Sequence, residues 1–120
     1  MSFRIEVDTE NQLVRIRHEG EMSPEEMYKG RSEVGALLKH HGYRRMLVDT
    51  REIEEGPDTL SAFELSSSHR QDLSLQVRLA ILVTPLLEPN ARFSENVANN
   101  RGFQVRVFLD EAAAIAWLMA

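Results

Sequence analysis

The residues with the most chemical potential are four histidines, a serine run and two clusters that mix carboxylates with hydroxyls. His18, His40, His41 and His69 form neither a His-x-x-x-His nor a His-Glu-x-x-His spacing, so no metal site is expected. His40 and His41 close a helical stretch, where a protonated imidazole favours the negative helix end. Ser66–Ser67–Ser68–His69 places hydroxyls beside an imidazole but lacks the Gly-x-Ser-x-Gly turn. Residues adjacent along a helix do not face each other, so this run does not read as a hydrolase site. There are no cysteines, which excludes thiolate nucleophiles, disulfides and cysteine-held zinc or iron–sulfur centres. No Gly-x-Gly-x-x-Gly or Walker-type loop is present, so no nucleotide cofactor is expected. No catalytic residue is assigned and a non-enzymatic role is expected.

The candidate site residues are of another kind. Asp49 and Thr50 end an apolar strand, and in open α/β sheets ligands gather at the carboxyl ends of strands. The same two groups could equally satisfy local backbone donors. Asp58, Thr59 and Ser61 open a helix, where free amides attract an anion or a phosphoryl group. Helix capping prefers the same residue types. Leu86 and Leu87, between Pro85 and Pro89, read either as a pocket lid or dimer contact, or as a loop folding back on the core.

The elements that must position these residues follow from periodicity. Phe3, Ile5 and Val7 alternate with charged residues, as do Val14, Ile16 and His18. A period of two and a short polar turn predict an antiparallel hairpin. Ser23–Pro24–Glu25–Glu26 is a helix start with the makings of a capping box. Met27, Arg31, Val34, Leu38 and His41 follow helical spacing, with Leu37 widening the stripe. With Gly42 as a stop, this gives a first helix over 24–41. Met46–Leu47–Val48 predicts a strand covered on both faces, followed by a polar loop from Arg51 to Pro57. A second helix is expected from Thr59 to about Asp72, with Ala62, Leu65, Ser66, His69 and Leu73 as its stripe. Val77 to Thr84 reads as a central strand. Asn90 is expected to cap a helix running to about Asn100, which Gly102 ends. Phe103, Val105 and Val107 form a fifth strand, and Asp110 caps a last helix carrying Ile115, Leu118 and Met119, with Trp117 also expected in the core.

The order β-β-α-β-α-β-α-β-α implies an α/β fold with a mixed, mainly parallel five-stranded sheet, an antiparallel N-terminal hairpin, four helices and right-handed crossovers. The strands at 46–48 and 77–83 are expected in the centre and the other three nearer the edges. One domain over 1–120 is expected, since 120 residues suit a single core and no linker or repeat breaks the chain. The hydrophobic fraction of 42% is that of a folded globular protein. A net charge of −5, with acidic clusters at 19–26 and 52–58, argues against nucleic-acid binding. No apolar run is long enough to span a bilayer and no signal peptide is seen, so cytoplasmic residence is the expectation.

The strand ending Leu47–Val48–Asp49–Thr50, the apolar strand Leu79–Ala80–Ile81–Leu82–Val83, and the closing run Phe108–Leu109–Asp110–Glu111–Ala112 with Ala116–Trp117–Leu118 resemble the SpoIIAA-like branch of the STAS superfamily, which is similar in fold to CRAL-TRIO lipid-carrier domains. The resemblance implies protein–protein contact or small-ligand sensing. STAS domains of the anti-sigma-factor-antagonist type carry an Asp-Ser-x-Gly-like turn whose serine is phosphorylated. Here Asp58 matches the aspartate and Thr59 follows it. Ser61 replaces the glycine, so the turn departs from the family pattern. Thr59 and Ser61 are then the hydroxyls a kinase could use. The leading expectation is a regulatory module that binds a protein partner, or a second copy of itself, through the 49–58 segment and the start of the second helix. The alternative is a small carrier of an apolar ligand or lipid.

Overall fold

The computed structural model describes residues 3–120. Five strands, β1 (Phe3–Asp8), β2 (Leu13–Glu21), β3 (Arg45–Glu55), β4 (Arg78–Leu82) and β5 (Gln104–Phe108), form one sheet in sequential order. β1 pairs antiparallel with β2, and β2 through β5 run parallel. The helices are α1 (Pro24–His41), α2 (Thr59–Ser67), α3 (Glu88–Asn100) and α4 (Glu111–Met119), with a short 3-10 turn at His69–Gln71 after α2.

A sheet built strand by strand in one direction sends every right-handed crossover over the same face. α1, α2 and α3 therefore cover one face, where Val34, Leu38 and Ala98 meet Val14, Ile16, Met46, Leu79 and Val105. α4 covers the other face, packing Ala114 and Leu118 on Leu13, Leu47, Ala80 and Leu82. Because strand side chains alternate between faces, Leu47 and Val48 belong to different layers, which is why β3 is apolar on consecutive positions. β3 is the central strand and β4 is interior, as expected. β2 is also interior: its one polar face lies on the side where α4 leaves the hairpin uncovered.

Helix starts follow the predicted chemistry at three places. Ser23 Oγ accepts from Glu26 N at 3.2 Å, Asp58 Oδ1 from Ser61 N at 2.7 Å, and Asp110 Oδ2 from Ala113 N at 2.9 Å. Among the described residues Glu26 Oε2 is buried with no hydrogen-bond partner, and the bond of this cap is the one from Glu26 N. Gly42 ends α1 at φ 70°, a conformation that glycine adopts without steric cost.

Four boundaries differ from the sequence reading. β3 continues to Glu55 instead of ending in a loop at Arg51, because its acidic end pairs with the end of β2 (Glu19 with Glu52, Gly20 with Ile53, Glu21 with Glu55) after a register shift past Arg17. Backbone pairing there outweighs the polar composition. α2 stops at Ser67 and tightens into the 3-10 turn, where Asp72 N and Leu73 N both bond to the His69 carbonyl. β4 is shorter than Val77–Thr84, although Val77 and Val83 are buried at its ends. α3 begins at Glu88 rather than at an Asn90 cap: Pro89, with its fixed φ, occupies the first turn and Asn90 lies inside the helix.

α1 approaches its neighbours at two glycines. A Cβ on Gly30 would stand 2.6 Å from Ile16 Cδ1, and one on Gly35 would collide with the Asp72 carbonyl oxygen. These small residues bring α1 close to β2 and to the segment after α2.

Candidate functional site

The candidate site is a cleft of about 150 Å³ between the sheet and the three helices of one face. β2, β3, β4 and β5 supply Ile16, Met46, Val48, Leu79, Ile81 and Val105 as its floor. α1 supplies Met27 and Arg31. α2 and the turn beyond it supply Ala62, Leu65, Ser66 and His69. Ile53, Gly56, Pro57, Leu87 and Asn90 border it at the carboxyl end of the sheet, the region where open α/β folds bind ligands. The walls are predominantly apolar, as ligand cavities are.

The candidate residues divide between two faces and the surface. Thr50 lines the cleft, but its Oγ1 donates to the Leu82 carbonyl at 2.8 Å and so ties β3 to β4. Asp49, its neighbour, points to the α4 side of the sheet, where its carboxylate is 1% exposed. It accepts from Arg51 N and Nε at 3.1 Å and from Arg51 Nη2 at 3.0 Å, and Arg17 Nε stands 3.5 Å away. Burial raises its pKa, but the Arg51 hydrogen bonds and the charges of Arg51 and Arg17 hold it below the usual carboxylate range. Arg51 Nη2 also donates to Glu111 Oε1 at 2.9 Å, and Arg15 meets Glu111 Oε2 at 3.1 Å. This network joins β2 and β3 to the start of α4.

Asp58 and Thr59 are exposed at the start of α2, and Ser61 is half-buried. The Ser61 backbone hydrogen bond lowers the Asp58 pKa, as a carboxylate used as a cap requires. None of the three lines the cleft; Ala62, one residue on, does. Leu86 and Leu87 part company. Leu86 is 82% exposed, whereas Leu87 turns in, lines the cleft and lies against Gly56, on which a Cβ would stand 3.4 Å from Leu87 Cδ2.

The titratable residues lining the cleft are Arg31, His18 and His69, each more than nine-tenths buried. Arg31 Nε donates to Asp72 Oδ2 at 2.6 Å, and Nη1 to the Leu65 carbonyl at 2.8 Å and Ser68 Oγ at 3.1 Å. Nη1 also lies 3.3 Å from His69 Nδ1. An arginine only donates, so His69 Nδ1 is the acceptor there. Burial, together with the Arg31 charge, depresses the His69 pKa to about 4; burial alone depresses that of His18 to about 4. Both rings are therefore neutral near pH 7. Arg31 Nη2 and His18 Nδ1 are buried with no hydrogen-bond partner among the described residues. The sequence signal for these groups was present: Arg31 and His69 are polar members of mainly apolar helical stripes, and His18 continues the apolar face of β2.

A mixed sheet with an antiparallel hairpin, three helices on one face and one on the other, and an apolar cleft at the strand ends defines a STAS-type α/β module. The chain belongs to the SpoIIAA-like family of the STAS superfamily: that family matches it over residues 13–119, nearly its whole length. No curated protein matches the sequence. No helix among the described residues is long and apolar enough to cross a membrane.

Proposed function

We propose that this chain is a non-enzymatic STAS-type binding module that takes a small apolar ligand into the cleft under α1, α2 and α3. The observation that carries this reading is the cleft itself, with its apolar walls and a volume of about 150 Å³ at the strand ends. Apolar cavities of about that size admit benzene-sized molecules. A diacyl lipid is far larger, so the fitting ligand is a ring or short chain rather than a membrane lipid. Of the candidate polar groups, Thr50 Oγ1 bonds to the Leu82 carbonyl and the Asp49 carboxylate to Arg51, so the apolar walls supply the main attraction. The test is a titration with toluene followed by the methyl resonances of Leu65, Ile81 and Leu87. Saturable shifts confined to this cleft support the reading, and shifts that stay linear or scatter over the surface defeat it.

A second reading, contact with a protein partner through residues 49–58 and the start of α2, is favoured by one feature. Leu60 and Leu86 are 67% and 82% exposed, and large apolar side chains so exposed suit an interface. Leu86 neighbours Leu87 in the cleft wall, so ligand occupancy and partner contact would share one loop. Thr59 and Ser61 are the hydroxyls at which phosphorylation would change that surface, next to free helix amides. Asp58→Arg with Thr59→Arg should abolish binding of the partner, or of a second copy, if this surface is used; an unchanged sedimentation profile with the partner present would remove it.

A further inference from the structure

The sheet has two edge strands, β1 and β5, and their outer edges differ. The outer backbone groups of β5 are taken by side chains of α3. Asn99 Oδ1 accepts from Val105 N at 2.9 Å, Asn99 Nδ2 donates to the Val105 carbonyl at 3.0 Å, and Glu95 Oε2 accepts from Val107 N at 2.6 Å. The Asn99 amide pairs with β5 as the peptide of a further strand would, so that edge is closed to another chain. On the outer edge of β1 no side chain among the described residues plays this part. A strand paired on one side keeps alternate N–H and C=O groups free on the other. The apolar row of β1 is also incompletely covered: Phe3 is buried, whereas Ile5 and Val7 are half-buried.

We propose that a second copy of this chain adds to β1, antiparallel and about a two-fold axis at Ile5, joining the two sheets into one. Side-chain alternation and charge select this register. A two-fold axis perpendicular to the sheet keeps each face with its like, so apolar meets apolar only when the axis passes through a residue rather than between two. Centred on Ile5, the pairing sets Ile5 against Ile5, Phe3 against Val7, and Arg4 against Glu6 twice over. Centred on Arg4 or on Glu6 it would set that charge against itself, and centred on Val7 it would set Glu6 against Asp8. Opposite charges across a strand pair are stabilising and like charges destabilising, which leaves Ile5 as the centre. Arg4 gains from this arrangement. Within its own sheet it stands opposite Arg17, and its ion pair with Glu19 is a surface contact of 3.5 Å that contributes little. The contact is isologous, so it closes at two copies. It lies at the far edge of the sheet from the α2 and α3 surface and is independent of the cleft.

The test is sedimentation of the whole chain over a concentration series, with Arg4→Glu, Glu6→Arg and the double reversal. The unaltered chain should dimerise, each single reversal should weaken the dimer at least tenfold by setting like charges opposite, and the double reversal should restore it by exchanging the pair. Should a variant fail to fold, amide exchange in the unaltered chain decides the matter: β1 amides should become protected as concentration rises, while those of Val105 and Val107 stay protected throughout. A monomer at about 1 mM, a dimer that neither single reversal weakens, a folded double variant that stays monomeric, or β1 amides indifferent to concentration would overturn the proposal.

Discussion

Arg31 Nε lies 2.6 Å from Asp72 Oδ2, joining the middle of α1 to the segment that follows α2 across 41 residues of sequence. The Arg31 side chain is 4% exposed and that of Asp72 19% exposed, so the pair is largely shielded from water. Removing one member of such a pair leaves the other unpaired in a poor solvent, which costs more than the pair itself contributes. Asp72→Ala is therefore expected to destabilise the fold by about 2–4 kcal/mol. Urea unfolding would show this as a lower midpoint with an unchanged slope.

Gly35 packs its Cα face on the Asp72 backbone at this same junction, where a Cβ would collide with the carbonyl oxygen. Backbone cannot swing aside as a side chain can. Gly35→Ala gains helix propensity of about 1 kcal/mol but forces α1 away from residue 72. A net loss of about 1–3 kcal/mol is expected. Gly42→Ala, strained at φ 70° but in open space, should cost less, about 1 kcal/mol. Thermal unfolding of the two variants side by side checks the order.

His18 and His69 make stability depend on pH in a defined window. Both have folded pKa values of about 4 against 6.5 for a free imidazole. The unfolded chain thus binds more protons between these values, and stability must fall as pH falls through them. Each histidine contributes at most about 3.4 kcal/mol of loss as pH falls from 6.5 to 4, at about 1.4 kcal/mol per pH unit. The carboxylates with lowered pKa values, Asp49 among them, lose their contribution only below about pH 4. His18→Phe should flatten the upper window without moving the lower one. Urea midpoints measured from pH 7.5 to 4.5 would reveal it, and a midpoint independent of pH over that range would refute the buried neutral rings.

Leu86 and Leu87 should respond in opposite ways. Leu87→Ala enlarges the cleft and removes contacts, costing about 1 kcal/mol in stability and weakening small-ligand binding. Leu86→Ser, at an exposed site, should stay within about 0.5 kcal/mol of the parent and leave ligand affinity unchanged. Calorimetry on the two variants separates them.

The element order and the three capped helix starts were legible because each rests on local chemistry: alternation, helical stripes, and Ser23, Asp58 and Asp110 at N-caps. The extension of β3 was not, because Arg51–Glu55 is strand only through its pairing with β2, and that pairing depends on a register no local pattern encodes. The cleft was half legible. Leu87 and Thr50 were among the candidates, and the stripe Ala62, Leu65, Ser66 and His69 forms one wall. What composition does not encode is the gap: helices packing on a sheet usually fill the space between them, and whether Met27, Leu65 and Ile81 meet or stand apart is decided by three-dimensional packing. Likewise the parting of Asp49 from Thr50 follows from strand alternation, yet which face holds one helix and which holds three depends on strand order.

The cleft under α1, α2 and α3 is proposed to receive a small apolar molecule. Burying about 200 Å² of an aromatic ring at about 25 cal/mol per Å² gives about 5 kcal/mol, hence a Kd on the order of 0.1–1 mM. A carbon–proton correlation titration with toluene measures this directly. Saturable shifts are expected at Leu65, Ile81, Leu87 and Val105, with the methyls of Leu47 and Leu118 on the α4 face unmoved; shifts that fail to saturate, or that appear equally on both faces, would rule out a site in this cleft.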